Sequence, residues 1–160
     1  MANFNKLLQS IISLGNDGKA FEVFCKWFLE NDPFWKTQVE QVWLWDDWPE
    51  RWGPDCGIDL IFVDKSGSKW AVQAKCYAAH NSISKRDMDS FLSESNRPVI
   101  DKRLLLSSTD LIGFNAIRTC QQQEKPVIRF MKKDFEAAGL VYPNHFSELG
   151  KKNIKLEIQK

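Results

Sequence analysis

Two strand-like runs, Ile58 to Asp64 and Lys69 to Cys76, flank the short segment Lys65-Ser66-Gly67. A three-residue loop with glycine in the left-handed third position is a favoured hairpin connection, and it sets a register. With Asp64 facing Ser68, Val63 faces Lys69, Ile61 faces Ala71, Asp59 faces Gln73 and Gly57 faces Lys75. Asp59, Gln73 and Lys75 then share one face of the pair. Opposed residues in an antiparallel pair have Cβ atoms about 4.5–5.5 Å apart, which lets the oxygens of Asp59 and Gln73 meet on one cation. Mg²⁺ suits such a set: it takes hard oxygen ligands, keeps several waters, and is commonly held by one or two carboxylates while a substrate phosphate supplies the rest. Lys75, one pleat beyond Gln73, would point at the same phosphate, where an ammonium orients or deprotonates an attacking water and offsets charge in the transition state.

A strand bordering solvent also alternates polar and apolar residues, so one Asp, one Gln and one Lys do not by themselves make a site. The neighbourhood sets these three apart. Asp59 opens an otherwise apolar strand, and Gln73 and Lys75 interrupt Trp70-Ala71-Val72 and Ala74, where a purely structural strand has no need of them.

The elements that must position this hairpin are legible around it. Leu7, Leu8, Ile11, Ile12 and Leu14 follow helical spacing, with Asn3 or Asn5 as cap and Gly15 as stop. Asn16 and Asp17 offer a second cap, and Phe21, Phe24, Cys25, Phe28 and Leu29 form an apolar stripe ending before Asp32-Pro33. Residues Thr37 to Trp45 predict a strand, and Ser84 with Asp87 a capping box opening a helix through Phe91 and Leu92. Arg103 to Ser107 reads as a strand, Thr109 as the cap of a helix from about Asp110 to Gln123, Pro126 to Met131 as a strand, and Phe135 to Ala138 as a short helix. The order α, α, β, β, β, α, β, α, β predicts an α/β protein with a mixed central sheet flanked by helices.

Composition bounds the rest. A chain of 160 residues, 43% hydrophobic with seven Trp and eleven Phe, is of single-domain size and rich enough in apolar surface to exclude intrinsic disorder. Residues 1–150 are expected to form the domain, and the Lys-rich stretch 151–160 a tail or linker toward a possible following domain. No apolar run reaches membrane-spanning length and Met1 to Gly15 carries no cleavage signal, so a soluble, cytoplasmic protein is expected. Cys25, Cys56, Cys76 and Cys120 are too scattered for a zinc site and are expected as thiols. A formal charge of +1 makes no strong polyanion-attracting field, so a nucleic-acid role needs a local basic surface. Trp43, Trp45, Trp48 and Trp52 could stack on bases, but such a cluster more often packs a loop onto the core. His80 and His145 stand apart from any nucleophile or zinc pattern.

The string Asp55-Cys56-Gly57-Ile58-Asp59, a hairpin, and then Gln73-Ala74-Lys75 resembles the Mrr-like branch of the PD-(D/E)XK nucleases, in which a Gln-x-Lys motif stands on the second strand. The resemblance covers about Gly18 to Met131 and implies the αβββαβ core of the restriction-endonuclease-like fold. It further implies a Mg²⁺-dependent DNA endonuclease, with Mn²⁺ able to substitute. Asp59 and Gln73 would be metal ligands, Ala74 would lend its carbonyl, and Lys75 would be the catalytic lysine. Relatives often add a Glu from the first core helix. Here that is Glu22, which borders the apolar stripe above Cys25 and Leu29 and would face either the metal or solvent. Many relatives carry a basic residue before the Tyr that follows the motif. Cys76 stands there instead, leaving Lys85 or Arg86 to supply the phosphate contact, with Arg103 as a further DNA contact. An Mrr-like domain at the N-terminus with a Trp-rich insert and a Lys-rich exit is also similar to the nuclease domain of single-chain Type ISP restriction-modification enzymes. That similarity implies helicase, methyltransferase and target-recognition domains in the same polypeptide, double-stranded DNA as partner, and cleavage that can draw on a second nuclease copy. The competing reading is a non-cleaving nuclease-fold module that binds nucleic acid or a partner protein.

Overall fold

The computed structural model describes residues 3–54, 57–77, 81–121 and 123–149. Asp55, Cys56, His80 and the stretch 151–160 lie outside them. Helix α1 (Phe4–Ile12) buries Phe4, Leu7, Leu8 and Ile11, the i, i+3, i+4, i+7 stripe, and the Asn3 side chain accepts from the Lys6 N–H at its start. Helix α2 (Asp17–Asn31) buries Phe21, Phe24, Cys25, Phe28 and Leu29. It stops where Asp32 turns extended and gives its carboxylate to the N–H groups of Phe34 and Trp35, starting the short α3 (Trp35–Gln38). Strands β1 (Val39–Leu44), β2 (Leu60–Asp64) and β3 (Lys69–Lys75) follow, then α4 (Lys85–Glu94), β4 (Lys102–Ser107), α5 (Phe114–Cys120), β5 (Val127–Phe130) and α6 (Lys132–Ala137).

The five strands lie in chain order in one mixed sheet: β1–β2 and β2–β3 are antiparallel, β3–β4 and β4–β5 parallel. Period-two alternation splits the core in two. Leu60, Phe62, Trp70, Val72, Leu104 and Leu106 face α1, α2 and α6, where Phe4, Phe28 and Phe130 each pack on Phe135 at 4.8 Å between ring centroids. Ile61, Ala71 and Leu105 face the opposite way, against Met88, Phe91 and Leu92 of α4 and Ala116 and Cys120 of α5. The α/β architecture expected from the sequence is the one observed.

The hairpin has the expected register: Val63 pairs with Lys69, Ile61 with Ala71 and Leu60 with Val72. Gly67 takes a φ of 89°, and one oxygen of the Asp64 carboxylate accepts from the N–H groups of Ser66 and Ser68, closing the turn. Ser84 and Asp87 form the capping box of α4.

Several boundaries differ: the strand expected over Thr37 to Trp45 spans Val39–Leu44 behind the short α3, the helix expected to reach Gln123 ends at Cys120, and the one expected over Phe135 to Ala138 spans Lys132–Ala137. The helix expected from about Asp110 starts at Phe114, because residues 109–113 are used otherwise. The Thr109 hydroxyl accepts from the Leu111 N–H, and Ile83 and Ile112 form a separate parallel bridge outside the strands. A Ser/Thr turn competes with helix capping for the same hydroxyl.

Candidate active site

Asp59 is the last residue before β2, held where its N–H donates to the Val72 carbonyl at 2.9 Å. One carboxylate oxygen, Oδ2, accepts from the Gln73 amide Nε2 at 2.6 Å and from the Ala74 N–H at 2.8 Å. The register that sets Asp59 opposite Gln73 thus becomes a side-chain contact, which leaves the Gln73 Oε1 and the second Asp59 oxygen for other partners. Gln73 is buried at 5% exposure, so its amide is oriented, not solvated. Lys75, half-buried one pleat on, lies within electrostatic reach of both Asp59 and Asp87.

Glu22 arrives from the other layer. It stands on α2, beside the apolar stripe, and its carboxyl hydrogen-bonds to that of Asp59. Burial, then the negative charge of Asp59, pushes the Glu22 carboxyl up from 4.5 to about 7, with Lys19 at 3.7 Å pulling the other way. Burial also raises Asp59, against the stabilising Ala74 N–H, Lys75 charge and Gln73 amide. Lys19, Glu22, Trp45, Asp46, Ile58 and Asp59 line a cavity of about 220 Å³ above the pair. Lys19 and Asp46 were not singled out in the sequence. Lys19 is signalled by standing one turn before Glu22, whereas Asp46, in the loop after β1, carries no periodic signal.

Gly57 explains part of the Gly-Ile-Asp string. Its φ is 87°, and a Cβ there would come within 2.5 Å of the Ser90 Oγ on α4, so only glycine lets the chain approach that helix before turning into Asp59.

The remaining expected residues separate. Lys85 and Arg86 are exposed at the start of α4. Arg103 is not a DNA contact: it is 1% exposed, with Nε donating to the Ser95 Oγ at 2.7 Å and its two terminal nitrogens to the carbonyls of Lys125 and Leu92, both at 2.8 Å. A guanidinium that donates from each of its three nitrogens in this way braces α4 against the approach to β5. The Trp cluster packs the loop after β1: Trp45 and Trp48 are buried, Trp45 donates to the Gly53 carbonyl, and Trp52 donates to Glu94 beneath the Arg97 guanidinium, 4.2 Å from its ring. His145 accepts from the Ser147 N–H in a terminal turn.

A mixed sheet in this order, with a carboxylate–amide–lysine set at the open end of its hairpin, has the architecture of the restriction endonucleases. Residues 30–151 match the Mrr-type restriction endonuclease family, and the chain belongs to it. The ATP-dependent Type ISP restriction-modification enzyme LlaBIII, solved bound to DNA, superposes at TM-score 0.72 with 29% identity over 84% of this chain, which spans only 9% of that enzyme. The DNA modification-dependent restriction endonuclease AspBHI (TM-score 0.54, 14% identity, 84% of this chain and 36% of that one) shares the fold. So does the MspJI restriction endonuclease, solved with a 27-mer oligonucleotide (TM-score 0.50, 19% identity, 81% and 29%). No curated protein matches in sequence. Among the described residues no helix is long and apolar enough to cross a membrane.

Proposed function

We propose that this chain is the Mg²⁺-dependent DNA-cleaving domain of a restriction-modification enzyme, hydrolysing phosphodiesters at Asp59, Glu22, Gln73 and Lys75. The observation that carries this reading is the contact between the Asp59 carboxylate and the Gln73 amide, with the Glu22 carboxyl closing on them from α2.

The donor set fits a hard divalent cation. Two carboxylates pressed together in a partly buried cleft share a proton or a cation, and the raised Glu22 is the carboxyl that holds the shared proton without a cation. Asp59, the Gln73 Oε1, the Ala74 carbonyl and Glu22 would hold the ion. Mg²⁺, or Mn²⁺ in its place, would supply Lewis acidity toward the scissile phosphate and an easier deprotonation of water. The chain does the rest. The Gln73 amide and the Ala74 N–H fix the Asp59 rotamer, so that the carboxylate is oriented before substrate arrives. Lys75 places its ammonium beside the phosphate, orients the water for in-line attack and balances charge as it spreads over the non-bridging oxygens. Trp45 and Ile58, both buried, give the cleft an apolar wall.

Asp59→Ala tests the assignment. The chain should stay folded, lose the rise in melting temperature that Mg²⁺ or Mn²⁺ gives the wild type, and nick supercoiled plasmid at least ~10²-fold more slowly, the loss of several kcal/mol of transition-state stabilisation. Undiminished Mg²⁺-dependent nicking by the folded variant would sink it. A wild type that binds metal and DNA but never nicks, even at high concentration, would favour the non-cleaving module.

A further inference from the structure

A second polar recess lies on the α4/α5 layer, apart from the carboxylates. It has a volume of about 260 Å³ and is lined by Lys85 at the first turn of α4 and by Asn115, Arg118, Thr119 and Gln121 on and after α5. Among the described residues no carboxylate lines it. Lys85 does pair with Asp89 at 3.0 Å, but both side chains are more than half exposed, and such a pair opens readily. Next to Asn115, on its rim, stands Phe114, 73% exposed, with the Arg118 guanidinium 5.8 Å from the ring centroid.

The topology sets this recess at the catalytic end of the sheet. Lys75 pairs with Ser107 at the parallel ends of β3 and β4, and the segments after them meet again in the separate Ile83–Ile112 bridge. Ile83 is then one residue from Ser84, the cap before Lys85, and Gly113, whose N–H donates to the Ile83 carbonyl at 2.8 Å, immediately precedes Phe114. Lys75, Lys85 and Phe114 therefore all stand at the C-terminal end of the parallel strands β3 and β4 or on the segments that leave it.

We infer that the Lys85–Arg118 recess is a phosphodiester-binding subsite, taking a backbone phosphate of DNA flanking the scissile one while Phe114 lies against the adjoining sugar. This rests on the nuclease reading above. Two cations with neutral hydrogen-bonding side chains and no lining carboxylate match a phosphate in charge and chemistry, and an aromatic ring on the rim matches the apolar face of deoxyribose. Arg118 offers a planar fork for two phosphate oxygens, whereas Lys85 acts as a point charge.

The experiment is a salt titration of the full chain with a fluorescein-labelled DNA duplex, read by anisotropy, with Ca²⁺ replacing Mg²⁺ to suppress cutting. Lys85→Ala and Arg118→Ala should each weaken binding several-fold and lower the slope of log K against log salt by about 0.9, one phosphate contact each. Phe114→Ser should weaken binding with the slope unchanged. Lys36→Ala, in the cleft beside Trp27 and Glu30 on the other layer, should bind as wild type. Wild-type affinity and slope in a folded Lys85→Ala/Arg118→Ala double variant, or a wild type that binds no duplex at low salt, would overturn the subsite. The two readings fail separately. Asp59→Ala keeps this binding if the recess acts on its own, and its plasmid nicking judges the catalytic reading whatever the recess does.

Discussion

Glu22 keeps its proton up to about 7 in the folded chain, whereas an unfolded chain releases it near 4.5. Between those values the folded state binds the extra proton, so the stability of the metal-free protein falls as pH rises through that window. Asp59 shifts in the same direction and adds to the slope. Melting temperatures of the metal-free chain should decline from about pH 4.5 to above pH 7. Glu22→Gln should flatten most of that decline, and Mg²⁺ should restore more stability above pH 7 than below it. An unchanged profile in Glu22→Gln would place Glu22 in solvent. Gln73 poses the complementary test of charge against shape. Gln73→Glu adds a carboxylate but removes the N–H that Asp59 accepts, so the metal-free variant should lose about 1–3 kcal/mol in urea denaturation while binding Mg²⁺ more tightly and cutting at lower Mg²⁺. Gln73→Ala should be severely impaired at any Mg²⁺ concentration. If Ala and Glu variants both behave as wild type, the amide has no part in the site.

At the scale of elements, Arg103 turns a surface-like residue type into a tie between α4 and the chain entering β5. Arg103→Ala leaves the Leu92 and Lys125 carbonyls without this donor and the Ser95 hydroxyl with only its bond to the Phe91 carbonyl, and should cost about 2–5 kcal/mol with the urea m-value unchanged. Arg103→Lys should recover little, since one ammonium cannot span three partners in a plane. This residue also marks where sequence reading stops. The hairpin register was legible to the residue because loop length and alternation are local, and so was the Ser84–Asp87 box, while the first cap was narrowed to Asn3 or Asn5 and falls on Asn3. Arg103 was not, because an Arg opening a strand looks the same whether it meets solvent or Ser95. Thr109 was misread for a related reason: its hydroxyl fits a helix cap and a turn equally well, and the Ile83–Ile112 bridge that decides between them joins segments far apart in the chain. Asp46 reaches the cleft through the path of the Trp-packed loop, which no local pattern encodes.

For the whole molecule, a formal charge of +1 limits what the chain does alone. A few phosphate contacts should yield non-specific dissociation constants on the order of 10⁻⁴ to 10⁻⁶ M near physiological salt, alike on unrelated duplexes. Nanomolar, sequence-selective binding by these 160 residues would contradict both that and the expectation of partner domains that hold the DNA. Weak holding leaves the site wholly dependent on its own geometry, and that geometry is counted outward from one turn. Asp59 meets Gln73 because each lies five residues from the Asp64–Ser68 closure. Loss of a single codon between Asp59 and Asp64 would carry Asp59 across the sheet, opposite Val72 and into the apolar layer, with every active-site residue still encoded. A gene surveyed only for its motif letters would then read as intact while its product was silent.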